Sequence, residues 1–276
     1  MTKPSTIHFE KTSPQVARIT FANPPVNLIV AETVGRLVEI VDELESDEDI
    51  QVLVFDSGTP DFFFNPFDLA AAAEFPAPKD ADALPVWTDL VVKLTRAPYI
   101  TIGSIRGRTR GGGNELALAF DLRYASRENA IFGQPEVGSG LLPGSGGTER
   151  LPRALGRDRA LEAILTSDDY DADTAERWGW VTRALPDAEL DEFVESIVAR
   201  LASFDRTSLA SAKAMVNRAS LPPVADLAAA YGEFAHSLTL PGFLARAAGA
   251  AVLAGEAGVE IEYRLGEYLG VANQQR

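Results

Sequence analysis

The first place in this chain where residue types and spacing point to chemistry is Arg110-Gly111-Gly112-Gly113-Asn114-Glu115. Glycine loses more backbone freedom on folding than any other residue, so three in a row need a reason. The run lies between a strand-like segment and a helix-like "LALAF". Backbone N–H groups at a helix start are unpaired and sit at the positive end of the helix dipole. With no side chains in the way, a ligand oxygen can reach them, so anion or oxyanion binding is the natural use. A phosphate loop needs Gly-x-x-x-x-Gly-Lys-Ser/Thr, and no lysine follows; a dinucleotide fingerprint needs Gly-x-Gly-x-x-Gly, and Glu115 and Leu116 fill the wrong slots. An oxyanion hole needs only one well-aimed N–H here and one from elsewhere. Tight packing of a helix on a strand would also call for glycine, and the triplet alone does not separate these last two readings.

A second carboxylate shifts the balance. Glu136 stands in "FGQPE", 21 positions after Glu115, and is followed by the glycine-rich "VGSGLLPGSGGTER". Two carboxyls, each beside a glycine-rich turn, suit paired acid and base work. The chain has 40 acidic residues, so it is the setting of these two that matters. Ser139 and Ser145 also lie in glycine-rich turns. The only histidines are His8 and His236, neither in a motif beside them, which disfavours a serine hydrolase.

The composition excludes several classes. A formal charge of −15 and a pI near 4.6 argue against non-specific nucleic-acid binding and against anionic membrane surfaces. There is no cysteine, hence no disulfide, thiolate nucleophile or Cys-based zinc site, and two distant histidines make no metal site. The segment "MTKPSTIHFEK" lacks the apolar core of a signal peptide, and "GFLARAAGAAVLAG" is too short to span a bilayer, so a cytoplasmic protein is expected.

The elements that must position these residues alternate. "QVARITF" (15–21) and "QVLVFD" (51–56) read as strands, and between them Val34, Leu37, Val38, Val41 and Leu44 recur at helical spacing. "NPPVN" (23–27) breaks the chain. A Pro- and aromatic-rich loop, "FFFNPFDLAAAAEFPAPKDADALP", leads to a helix near 86–96 and the strand "YITIGSI" (99–105). Strand–helix–strand order predicts an α/β fold with parallel strands. Beyond about residue 148 helix dominates, and "FDRTS" (204–208) marks an expected boundary between a core of residues 1–204 and a helical region of residues 205–276.

The sequence resembles the crotonase family, the enoyl-CoA hydratase/isomerase superfamily. The resemblance runs from about residue 15 to 200, through "NPPVN", "RAPYITIGSIRG", "GGGNELALAFDLRYAS", "FGQPEVGSGLLPGSGGTERLPRALG" and "DADTAERWGWVTRAL". It implies a spiral of repeated ββα units with a helical C-terminal region that makes trimers, or hexamers as pairs of trimers. The implied substrate is an acyl-CoA thioester, with coenzyme A arriving as part of the substrate and no tightly bound cofactor or metal. Carried over residue by residue, the resemblance makes Gly112 one oxyanion donor. Glu115 becomes the residue that orients or deprotonates water for attack at the β-carbon, and Glu136 the one that exchanges a proton at the α-carbon. Gly144 matches a glycine beside the catalytic water, and Gly111 and Pro135 flank the motifs. Keeping both glutamates favours hydration. Isomerase, hydrolase or decarboxylase chemistry on the same fold is the alternative, as is a catalytically weak acyl-CoA-binding protein.

Three departures from the family pattern stand out. The second oxyanion donor normally comes from a Gly-x-Asp turn, but here the chain reads Asn65-Pro66-Phe67-Asp68-Leu69. Pro66 replaces a glycine and fixes φ near −65°, while Phe67 keeps its N–H at the donor position. The segment before the glycines carries Arg106, Arg108 and Arg110 where apolar or small residues are usual. If extended, it places all three on one face, as candidate contacts for an acyl carboxylate or a CoA phosphate, or as partners of the surplus acids. The C-terminal tail offers only Arg246, Tyr263 and Arg264 for the nucleotide end of CoA, without an assignment among them.

Overall fold

The computed structural model describes residues 5–77 and 83–274. The strand β1 (Ile7–Ser13) pairs antiparallel with β2 (Val16–Phe21). After the break comes α1 (Ala31–Glu45), whose buried face is Thr33, Val34, Leu37, Ile40, Val41 and Leu44, a stripe at helical spacing. The chain then enters β3 (Val52–Ser57), crosses through α2 (Val86–Arg96), and returns as β4 (Ile100–Ile105). Between β3 and α2 the loop 62–67 folds inward, and Phe62, Phe63 and Phe64 are all fully buried. Asn27 secures it. At the end of "NPPVN", its Nδ2 donates to the Phe63 carbonyl (2.7 Å), and its own carbonyl accepts from the Asn65 N–H (3.1 Å).

Next come β5 (Arg108–Arg110), α3 (Gly112–Ala117), β6 (Leu122–Ser126) and β7 (Ile131–Gly133). They are followed by α4 (Gly147–Leu155), α5 (Arg157–Thr166), β8 (Asp169–Asp171), α6 (Ala172–Trp178), β9 (Arg183–Leu185) and α7 (Asp187–Ala202). The remainder is helical: α8 (Arg206–Ser220), α9 (Val224–Ser237), α10 (Pro241–Ala257), α11 (Glu260–Tyr263) and α12 (Leu265–Gln274). The expected boundary segment holds the start of α8, where the Asp205 carboxylate caps the Ser208 N–H at 2.7 Å. Three edge strands, β1, β8 and β9, carry no clear pattern in the sequence, because edge pairing fixes them more than their own residues do.

One sheet runs β1-β2-β3-β4-β6-β9 and is parallel from β2 onward; a smaller one runs β5-β7-β8. Alternation divides the core. On β3, Leu53 and Phe55 face the main cluster with α1 and α2. Val52 and Val54 face a second cluster with Leu190, Val194 and Val198 of α7. The buried Lys213 ties α8 to the sheet through Asp121 (2.8 Å) and the Tyr99 carbonyl (2.8 Å). The smaller sheet sets β5 and β7 side by side, so the glycine run after β5 and the "QPE" after β7 leave from neighbouring strand ends.

Candidate active site

Each glycine of the triplet has its own physical reason. Gly111 has φ +54° and ψ −129°, a conformation that a side chain resists. Gly113 lies against the Phe64 carbonyl, whose oxygen would be 2.0 Å from an added Cβ. Gly112 is covered by the Phe67 ring, with Cε2 at 2.3 Å from the same imagined atom. Gly112 opens α3, so its N–H has no partner within the helix.

Glu115 follows one turn later and is 3% exposed. Its Oε1 accepts the N–H groups of Ser145 (2.7 Å) and Gly147 (2.9 Å), which leaves Oε2 for a ligand or water. Glu136 stands at the turn after β7. Its Oε2 accepts from Gln134 Nε2 (2.9 Å), and its Oε1 lies 3.1 Å from the position of a Gly111 Cβ. A chain of side chains stands behind Gln134: Trp180 Nε1 donates to Asn114 Oδ1 (2.8 Å), and Asn114 Nδ2 donates to Gln134 Oε1 (2.6 Å). These bonds fix the orientation of both amides and aim the Gln134 donors at Glu136.

Burial pushes both carboxyls well above the ordinary carboxylate range. The charge of Glu136 raises Glu115 further, and the two backbone N–H bonds oppose that rise. Two carboxyls in this situation exchange protons as a pair near neutral pH. Hydrogen bonds hold both carboxylates: two backbone N–H groups on Glu115, and Gln134 with the residue's own backbone N–H on Glu136.

The Asn65-Pro66-Phe67 segment comes to the same place. Pro66 Cβ and Cγ stand 3.3 Å from the position of a Gly111 Cβ. The Ile29 N–H donates to the Pro66 carbonyl (3.0 Å), and the Asp68 N–H donates to the Ile29 carbonyl (2.9 Å). In such a bridge the intervening Phe67 N–H faces away from Ile29. Proline removes only its own N–H, and its carbonyl serves the bridge. The Phe67 ring packs edge-on against Phe75 (5.3 Å between centroids) and Trp87 (5.1 Å). Asp68 Oδ1 accepts from the Ala70 N–H (3.1 Å), which places this carboxylate at a helical-turn start, and Leu69 is 46% exposed.

The expectation that the three arginines share one face is corrected. The three arginines do not share a ligand-facing side. Gly107, at φ +88°, turns the chain between Arg106 and β5. Arg106 goes to Asp187 (2.9 Å) and Asp191 (2.7 Å) on α7. Arg110 is fully buried and binds both oxygens of Asp169. Arg108 donates to the Tyr263 carbonyl (2.9 Å) and stacks on the Tyr263 and Phe62 rings. Internal acids thus claim Arg106 and Arg110, while backbone carbonyls and two aromatic rings claim Arg108. Gly144 packs on the Phe234 ring of α9; the N–H groups that hold Glu115 belong to Ser145 and Gly147. Sequence reasoning gave no such role to those two residues, nor to Asn114, Gln134 and Trp180. The first four carried only a position inside the two motifs, and Trp180 only one inside "DADTAERWGWVTRAL".

A mostly parallel sheet with flanking helices, two buried carboxyls and a glycine run at a helix start define an α/β enzyme of the crotonase fold. The sequence profile of the enoyl-CoA hydratase/isomerase family matches residues 11–239, and the chain belongs to this family. It is 33% identical over 207 residues to the Mycobacterium leprae protein named probable enoyl-CoA hydratase echA8, covering 74% of this chain and 78% of that one. It is 32% identical over 220 residues to carnitinyl-CoA dehydratase of Citrobacter koseri, covering 80% and 83%. A crystal structure of a candidate enoyl-CoA hydratase from Streptomyces avermitilis superposes with a TM-score of 0.90 at 43% identity, covering 98% of each chain. Acyl-CoA chemistry of the crotonase kind follows from this membership. Among the described residues no helix is long and apolar enough to cross a membrane.

Proposed function

We propose that the protein hydrates the double bond of a 2-enoyl-CoA thioester. The observation that carries this reading is the pair of buried, mutually repelling carboxyls set against one glycine run, each held by its own donors. The Gly112 and Phe67 N–H groups receive the thioester oxygen. The Glu115 carboxylate takes a proton from water as the water oxygen bonds to the β-carbon. The electron pair of the double bond moves toward the thioester oxygen, where the two N–H groups stabilise the enolate charge. Protonated Glu136 then delivers its proton to the α-carbon. Water is thus divided between the two carbons, one glutamate has gained a proton and the other has lost one, and exchange between them restores the pair.

Pro66, Gly111 and Pro135 shape the backbone around the reacting atoms, while Asp68 and Leu69 close the turn beyond Phe67. The test is the loss of thioester conjugation, followed by absorbance, with crotonyl-CoA and longer 2-enoyl-CoAs. Glu115→Gln and Glu136→Gln should each lower kcat by about 10²–10⁴, and the double variant should lose less than the product. Near-normal turnover in either single variant would remove that residue from the mechanism.

A further inference from the structure

Glu262 belongs to the short helix α11 near the end of the chain, far in sequence from either motif. Through different atoms it bonds one residue near each proposed oxyanion donor. Its carboxylate Oε2 accepts from Asn65 Nδ2 at 2.7 Å. Its backbone carbonyl accepts from Nη1 of Arg110. Asn65 lies two residues before Phe67, and Arg110 two residues before Gly112. Each candidate N–H donor is therefore anchored, at the same short remove, to one residue of the C-terminal tail.

We propose that Glu262 is a positioning residue that sets the spacing between the Phe67 and Gly112 donors. The surroundings fit a fixed strut. Asn65 is fully buried, and its Oδ1 has no partner among the described residues, so the bond to Glu262 is its one side-chain hydrogen bond. Arg110 is equally buried and gripped by Asp169, so its guanidinium presents Nη1 in a set direction. The neighbouring Tyr263 adds a second attachment. Its ring meets Phe62 edge-on at 5.0 Å, and its carbonyl takes the Arg108 donor. Burial raises the Glu262 carboxyl, while Arg110 and Asn65 oppose that rise, so the group sits in a place that disfavours its charge. The "RGRTR" segment, unusual for the family, thereby acquires a use as the socket for α11. The strut also supports a loop in which proline stands where a glycine is usual.

This inference rests on the oxyanion reading above, so its test has an arm that needs no turnover. Glu262→Gln keeps an oxygen to accept from Asn65, while Glu262→Ala does not. Backbone hydrogen exchange over residues 61–68 should quicken in Glu262→Ala and stay near wild type in Glu262→Gln, while residues 108–114 change less, because the Arg110 bond to the residue-262 carbonyl survives both substitutions. With 2-enoyl-CoA as substrate, kcat per folded molecule should fall about tenfold in the alanine variant, part of the 10²–10³ expected for a whole donor. KM should change little, and glutamine should restore the rate. Unchanged exchange in Glu262→Ala overturns the strut, as does a glutamine variant that behaves like alanine. A wild-type enzyme that hydrates no 2-enoyl thioester, with the exchange pattern as expected, refutes the hydratase reading and leaves the strut standing.

Discussion

Substitution of Gly112 by alanine isolates one contact in the site. The new methyl would lie 2.3 Å from Cε2 and 2.7 Å from Cδ2 of Phe67. Carbon atoms settle near 3.5–4.0 Å, so the ring would have to move by roughly 1–1.5 Å. Phe75 and Trp87 stand against that ring, which prevents a free swing. Overpacking of this kind costs about 1–3 kcal/mol. The strain falls on the residue whose N–H is the proposed second donor, so a loss of about 5- to 150-fold in kcat/KM is expected. The Gly112 N–H itself survives the substitution. A Gly112→Ala/Phe67→Ala double variant removes the clashing ring, keeps both N–H groups, and should recover most of the loss. The assay is the decay of enoyl-thioester absorbance over a range of substrate concentrations, with thermal melts run alongside. Full activity in Gly112→Ala would refute the reasoning. So would a double variant no better than the single one while Phe67→Ala alone remains active.

Other outcomes follow from the same geometry. Gly113→Ala should fail to fold, because its methyl meets the Phe64 carbonyl oxygen at 2.0 Å and a backbone atom cannot step aside; soluble, active protein would contradict this. The Glu136 carboxyl is raised in the folded state to about 7, so its contribution to stability is full at low pH and is lost as pH rises toward that value. Glu136→Gln should therefore gain on wild type between about pH 5 and 8, by at most about 3 kcal/mol, and melting curves across that range would show a constant difference if the shift is absent. Lys213→Met strands Asp121 and should cost about 3–5 kcal/mol, measured as a drop in urea midpoint; an unchanged midpoint would remove the pair from the stability account. We also propose a trimer of 29.6 kDa chains, since α8 leaves Met215 and Val216 more than 60% exposed; a monomer by light scattering at micromolar concentration would count against it.

The sequence by itself determined most of the frame and pointed to two glutamates that the fold brings to one glycine run. The helical stripe of α1, the alternation on β3 and the two glycine-flanked glutamates are local patterns, and local patterns survive without tertiary context. The motifs around them also resemble those of the crotonase family, and the family match over residues 11–239 bears that resemblance out. Partner choice was not legible. Arg106, Arg108 and Arg110 were visible as three cations, but only the folded chain decides that Asp187, Asp169 and Tyr263 reach them before a ligand does. The donors on Glu115 are backbone atoms of Ser145 and Gly147, some 30 residues away, and backbone groups carry no sequence signature. Gly111 and Gly113 look alike as letters. One answers a backbone dihedral and the other a carbonyl from a distant loop, and that distinction exists only after the loop 62–67 has folded against β5. The same holds for Glu262. Near the end of an alanine-rich helical tail it reads as one acid among many, and its place between Asn65 and Arg110 arises because tertiary packing brings the ends of three distant segments within hydrogen-bond reach.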